Sequence, residues 1–315
     1  MRLKKPDPLI VLIILAVILA LIAPIYGQAA DWFSFATKIA IALLFFLYGA
    51  RLSTTEAIAG LKHWRLHLTI LCFTYIAFPL IGLALQPTSP WIGEDLYLGI
   101  LYLTLVPSTV QSSVAFTSIA RGNVAGAIVS ASASNLLGVV ATPLLVMLCM
   151  ARNSVTINGG VFLDIAIQLL LPFLAGQLCR PWIKTFAASQ ATKIVDRGSI
   201  AMVVYSAFSA GVIGGIWDRL GAIQLIGLII FSVVLVAAML FITRLVAQKL
   251  RFDEADTIAI QFCGTKKSLA TGLPMAAVIF GGANIGLLIL PLMIFHQVQL
   301  MMCSALASRY ALRPE

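Results

Sequence analysis

Lys266 and Lys267 stand side by side in a stretch otherwise written for lipid. It runs Asp256–Thr257–Ile258–Ala259–Ile260–Gln261–Phe262–Cys263–Gly264–Thr265–Lys266–Lys267–Ser268–Leu269–Ala270–Thr271–Gly272–Leu273–Pro274 and stays apolar to Phe280. An ammonium group at membrane depth costs roughly 2.5–3.5 kcal/mol even on the insertion scale, so the pair requires a polar cavity or an anionic partner. Such lysines can bind an anionic solute, stand where a small cation would stand, or exchange a proton. Gly264, Gly272 and Pro274 predict a broken helix, which a bilayer tolerates only where the backbone faces protein or water.

A second interrupted stretch reads Leu105–Val106–Pro107–Ser108–Thr109–Val110–Gln111–Ser112–Ser113–Val114–Ala115. Pro107 removes a backbone donor and disturbs the turn before it. Ser108, Thr109, Gln111, Ser112 and Ser113 supply hydroxyl and amide groups for freed carbonyls or a bound solute. The same residue types also bond back to their own helix or join neighbouring helices. The predicted substrate or ion pathway is Gln111, Ser112, Ser113, Gln261, Thr265, Lys266, Lys267 and Ser268, with helix breaks at Pro107, Gly264, Gly272 and Pro274. Adjacent helical residues do not share a face, so one lysine lines the crossing while the other reaches a carbonyl or cytoplasmic water. In the competing arrangement both snorkel to the inner surface near Asp253, Glu254 and Asp256.

The rest of the chain must hold these stretches inside a bilayer. It is 61% hydrophobic and 10% charged, far from the quarter-charged soluble average. An all-α polytopic membrane protein is the expected class. Apolar runs mark ten transmembrane helices, at about 8–26, 35–52, 66–86, 95–119, 123–150, 160–181, 196–216, 220–247, 255–280 and 283–308, each near the roughly 20 residues a span needs. The linkers are short, and 1–315 reads as a single transmembrane domain. Met1–Arg2–Leu3–Lys4–Lys5 ahead of an apolar run resembles a secretory leader, but the run is long enough to span and is taken as the first helix.

The net charge of +9 sits in short loops, which points to a membrane orientation rather than to nucleic acid. With the N-terminus inside, Arg2, Lys4, Lys5, Arg51, Lys62, Arg65, Arg121, Arg180, Lys184, Lys193, Arg197, Arg244, Lys249, Arg251, Arg309 and Arg313 face the cytoplasm. Only Arg152 and Arg219 face out, beside Glu94, Asp95 and Asp164, and Lys38 falls near the outer end of the second span. That asymmetry predicts both termini in the cytoplasm and an even number of spans.

Five cysteines (Cys72, Cys149, Cys179, Cys263 and Cys303) have no paired spacing and read as reduced, packed thiols. His63 and His67 are four apart beside Trp64; an interfacial role is expected over a metal site, which would want more ligands. His296, Gln297 and Gln299 either line a pathway or bond between helices. No nucleophile elbow, metalloprotease helix or phosphate loop is present, so no enzyme and no catalytic or metal-ligating residue is expected.

A faint internal repeat joins the halves. Residues 39–50 align with 200–211, and at the same offset Gly122–Asn123–Val124 falls on Ala283–Asn284–Ile285. Five spans per half give opposite orientations, hence an inverted repeat of about 8–150 and about 160–310. In such proteins solutes bind near the midplane where discontinuous helices meet.

Arg121–Gly122–Asn123–Val124–Ala125 and, more specifically, Cys263–Gly264–Thr265–Lys266–Lys267–Ser268 resemble the corresponding tracts of the bile acid:sodium symporter family, in its member-seven-like branch with bacterial relatives. The likeness covers essentially the whole chain. It implies a panel domain of spans one, two, six and seven, a core domain with broken helices four and nine crossing, and a place in the bacterial inner membrane. It further implies a secondary active transporter of a small organic, anionic solute by alternating access, with sodium as the implied coupling ion, proton coupling or uniport as the open alternatives, and no other cofactor. A non-transporting membrane regulator on the same fold is the alternative.

The family's sodium ligands carry over only in part. Its serine–asparagine pair falls on Ser112 and Ser113, its ninth-span glutamate on Gln261, and the following glutamine on Thr265, with Lys266 and Lys267 next. Counted from Asn123, its fifth-span hydroxyls land on Ala127 and Ala131, with Ser130, Ser132, Ser134 and Asn135 close by. Losing a carboxylate while gaining ammonium groups makes a nearby cation site electrostatically worse.

Overall fold

Apolar runs of this length leave the backbone no partner but itself, and the chain answers with helices. The computed structural model describes residues 8–51, 63–150, 166–215, 220–280 and 285–313. Arg2, Lys4, Lys5, Lys62, Arg152, Asp164 and Arg219 of the charge argument, and Ala283 and Asn284 of the repeat, lie outside the described residues.

The helices are α1 (Pro8–Ile22), α2 (Gly27–Arg51), α3 (Trp64–Ile92), α4 (Glu94–Leu105), α5 (Gln111–Ile119), α6 (Val124–Met150), α7 (Leu171–Ala187), α8 (Thr192–Ile213), α9 (Ala222–Lys249), α10 (Glu254–Thr265), α11 (Leu269–Phe280) and α12 (Ile285–Ala311). A π turn, Phe73–Ala77, interrupts α3, and a second, Ala166–Leu170, leads into α7. Among the described residues α2, α3, α6, α9 and α12 are each long and apolar enough to cross a membrane. The protein is an all-helical, multi-pass membrane protein.

Three boundaries need correction, and one is the third run, which continues to Ile92 rather than ending near 86. The second helix begins at Gly27 rather than near 35, because Gly27 turns the chain at φ +59° and nothing after it breaks the helix. Lys38 therefore falls near mid-helix, where it is exposed. The sixth run continues to Ala187, with Pro181 accommodated inside α7.

The chain divides into two compact units. The first comprises Met1–Leu52, Ile157–Leu220 and Leu273–Leu287. Within it α1 packs on α8 and α2 on α7. Gly49 and Gly176 let α2 and α7 touch backbone to backbone: a Cβ on either would meet a carbonyl oxygen at 2.0 Å (Phe173) or 1.9 Å (Phe46). Arg51 ties the lower end, donating to the Ala187 carbonyl and to Asp196, each at 2.6 Å.

The second unit comprises Ser53–Thr156, Gly221–Gly272 and Leu288–Glu315. Its long helix α9 exposes Ile223, Ile226, Ile230, Val234 and Phe241, an apolar face suited to lipid. By contrast α4 is buried from Leu96 to Leu105 and α10 from Asp256 to Thr265. A helix buried on every face has no lipid contact, so α4 and α10 form the inside of this unit. Both are half-helices that stop where the polar stretches begin.

Candidate functional site

The first break follows α4, with Val106 extended (φ −78°, ψ 156°). Ending a helix inside a protein orphans its last carbonyls, which then need donors from elsewhere. Each carbonyl here finds one. Leu105 accepts from Thr142 Oγ1 (2.9 Å), Pro107 from the Ser268 amide (2.7 Å) and Ser108 from Asn135 Nδ2 (2.6 Å). Those of Thr104 and Val106 accept from the Lys267 ammonium, at 2.8 and 2.9 Å. The Ser108 amide, which would have continued the helix, donates instead to Ser134 Oγ (3.1 Å).

The second break spans Lys266–Ser268, where Lys266 is extended (φ −92°, ψ 151°). Ser108 Oγ donates to the Cys263 carbonyl at 2.6 Å. Together with the bond from Ser268 to Pro107, this splices the two breaks in both directions. Asn135 of α6 bridges them as well, since its Oδ1 accepts from Thr271 Oγ1 (2.7 Å) while its Nδ2 holds Ser108. From α12, Gln299 clasps the Lys267 peptide: Oε1 accepts from the amide (2.9 Å) and Nε2 donates to the carbonyl (2.8 Å).

The two lysines, both fully buried, end in opposite circumstances. Lys267 Nζ makes three hydrogen bonds, the third to the Thr74 carbonyl at 2.9 Å, and lies 4.3 Å from the centre of the Phe78 ring. Lys266 Nζ has no hydrogen-bond partner and lies 3.8 Å from the Phe116 ring centre and 5.8 Å from that of Phe262. A cation over an aromatic face gains some of what it loses in hydration, but its N–H donors stay unused.

The remaining expected residues divide between the splice and its surroundings. Ser268 is in the splice, its Oγ 2.9 Å from Thr271 Oγ1. Ser112 and Ser113 lie within 2.6 and 3.2 Å of Thr109 Oγ1, at the start of α5, and Gln111 is exposed. Gln261 turns away from the breaks, donating to the Leu240 carbonyl (2.8 Å) and accepting from the Tyr310 hydroxyl (3.0 Å). Thr265 Oγ1 is 3.4 Å from Thr243 Oγ1.

Of the expected helix breakers only Pro107 lies in a break. Gly264 sits in the last turn of α10, and Gly272 and Pro274 lie inside α11. That corrects the expectation for these three: the second break forms where Ser268 gives its amide to Pro107, and α11 is then long enough to accommodate a proline. Gly272 serves close packing instead, because a Cβ there would meet Leu292 at 2.7 Å.

Thr74 is a residue of this site that the sequence did not single out. Thr74 precedes Pro79 by five positions, the spacing of a π turn, and the Phe78 amide is already given to Phe73. Its carbonyl is thereby stripped of local donors, a signal that Pro79 carries only once the π turn is seen. Ser134 and Asn135 lay among the fifth-span polar residues without a register. Gln299, expected either to line a pathway or to bond between helices, bonds from α12 to the Lys267 peptide, and the His296 Nδ1 lies 2.8 Å from its Nε2.

The Arg121–Gly122–Asn123 tract works at a distance from the breaks. Arg121 takes φ +59°, the Asn123 amide donates to the Ala255 carbonyl (2.9 Å), and its side chain donates to Asp256 (2.7 Å). It clasps the loop after α5 to the first turn of α10. His67 Nδ1 lies 2.6 Å from Ser130 Oγ. Among the described residues no three His, Cys, Asp or Glu side chains are placed to hold a metal ion.

A buried, spliced pair of broken helices in a multi-pass helical protein is an arrangement that membrane carriers use, and sequence comparison names the family. Residues 7–312 match the SBF-like CPA transporter family, and the chain belongs to it. It is 50% identical over 312 residues to "Uncharacterized protein PA2026" of Pseudomonas aeruginosa, covering 98% of this chain and 94% of that protein. It is 46% identical to "Putative symporter YfeH" of Escherichia coli, with the same coverage. Against sodium/bile acid cotransporter 7 of Mus musculus it is 34% identical over 279 residues, 85% of this chain and 81% of that one.

Proposed function

We propose that this protein is a secondary active transporter that moves a small organic anion across the bacterial inner membrane by alternating access. In this reading ten spans form two inverted repeats, with both termini in the cytoplasm. The first compact unit, built on α1, α2, α7 and α8, is the panel; the second, carrying both breaks, is the core. The membership of the units and the charge asymmetry of the loops support that division.

One observation carries the reading: at the splice of two buried broken helices, Lys266 keeps a buried ammonium with all its donors unused. A carboxylate, sulfonate or phosphate would satisfy those donors and remove the cost of an unpaired buried charge. Lys266 is the anion-recognition residue, and Ser112, Ser113 and Ser268 are the neutral polar groups of the same pathway. The names of the relatives, a symporter and a sodium/bile acid cotransporter, agree with a solute of this kind.

The test is uptake into proteoliposomes of small organic anions first selected by thermal stabilisation of the purified protein. Lys266→Ala should abolish uptake and stabilisation. Full uptake by both Lys266→Ala and Lys267→Ala would remove the lysine pair from the pathway.

A further inference from the structure

We propose that Lys267 is a built-in cation: its ammonium occupies, permanently and covalently tethered, a carbonyl cage of the kind that would otherwise hold a coupling sodium. This deepens the transporter reading and rests on it only for the word coupling. The cage itself is a property of the folded protein.

Three backbone carbonyls make the cage, and each lacks a local donor for a reason visible in the chain. Thr74 is deprived by Pro79 and by the bond between Phe78 and Phe73. Thr104 is deprived because the Ser108 amide is given to Ser134. Val106 precedes Pro107 at the extended end of α4. Two of the three sit at the negative end of the α4 half-helix, where a cation is favoured. Hard monovalent cations are served by such oxygens.

Lys267 fills that place completely. An ammonium has three N–H donors, and the three carbonyls stand 2.8–2.9 Å from Nζ. The Phe78 ring covers a further side. Gln299 grips the Lys267 peptide at both its amide and its carbonyl, so the root of the side chain is pinned as well as its head. A sodium ion at these oxygens would have to displace a charge of its own sign.

Two further positions that the family resemblance assigns to sodium, Gln261 and Thr265, do not compensate. Gln261 is committed to Leu240 and Tyr310, and Thr265 faces Thr243. The three carbonyls filled by Lys267, with Gln261 and Thr265 committed elsewhere, therefore do not fit a sodium ion. With no donor to spare, Lys267 is a positioning residue that locks the two breaks together, and the solute is left to Lys266.

The experiment measures thermal unfolding of the purified full-length protein in detergent, in sodium, potassium or N-methyl-D-glucamine chloride at one ionic strength. Wild-type protein should melt at the same temperature in all three. Lys267→Ala should melt roughly 5 °C or more lower in N-methyl-D-glucamine, and sodium or methylammonium should recover part of that loss by entering the emptied cage. A sodium-specific rise in the wild-type protein overturns the proposal, as does a Lys267→Ala loss that neither cation repairs.

If Lys267→Ala does not fold, wild-type uptake in sodium against N-methyl-D-glucamine decides. Equal uptake supports the built-in cation, and a tenfold dependence on sodium overturns it while leaving the transporter reading intact. Absence of uptake in every salt strikes the transporter reading alone, because the melting comparison still judges the cage.

Discussion

The two breaks solve one physical problem from opposite sides. The break after α4 is rich in acceptors: five successive carbonyls, Thr104 to Ser108, leave their own helix and look for donors. The break after α10 is rich in donors, supplying the Lys267 ammonium and the Ser268 amide. Neither stretch is stable at membrane depth alone, since each unsatisfied backbone group there costs several kcal/mol. Pressed together they satisfy each other. The contrast also separates two neighbouring lysines that composition treats as equal, one saturated with carbonyls and one beside aromatic rings with no hydrogen bond.

The largest effect expected is from Lys267→Ala. Removing the ammonium leaves three buried carbonyls unanswered and should lower stability by about 3–5 kcal/mol, read from denaturant or thermal unfolding in detergent. If stability is unchanged, the donor-rich side of the comparison fails. Next comes Gln299→Ala, which frees both the amide and the carbonyl of the Lys267 peptide, at a cost of about 2 kcal/mol. Ser108→Ala breaks one strand of the splice and should cost about 1 kcal/mol, through the orphaned Cys263 carbonyl.

Lys266→Met sharpens the contrast most. It removes a charge that has no hydrogen bond and replaces it with an apolar chain among phenylalanines, so stability should change by less than about 1 kcal/mol or rise. Anion binding should nonetheless fall at least tenfold, about 1.4 kcal/mol, in a ligand-stabilisation titration. A large stability loss in Lys266→Met would mean that this lysine too is structural. At the bottom, Gln111→Ala lies on an exposed position and should leave melting within about 0.5 kcal/mol of wild type.

Helix positions and their interruptions were legible in the order of residues, because burial in lipid demands long apolar runs and punishes anything else. Pro107 and the lysine pair marked both breaks for the same reason. Gly272 and Pro274 misled: flexible or donor-poor residues only permit a break, and the bond from Ser268 to Pro107 goes with a break at Lys266–Ser268 instead. The partners of Gln261 were not legible either, since its position in the family pattern says nothing of the Tyr310 hydroxyl that it accepts from.

What remained hidden is a matter of distance along the chain. Local pattern reports which groups lack partners within a turn or two, and so the sequence declared that two ammonium groups and a run of carbonyls would need company inside the membrane. It did not say whose. Lys267 finds Thr74 across 193 residues and Thr104 across 163, while Ser108 reaches Cys263 across 155. Only the folded chain brings those groups within 3 Å, and only there is one ammonium tied to three carbonyls while its neighbour is left without a hydrogen bond.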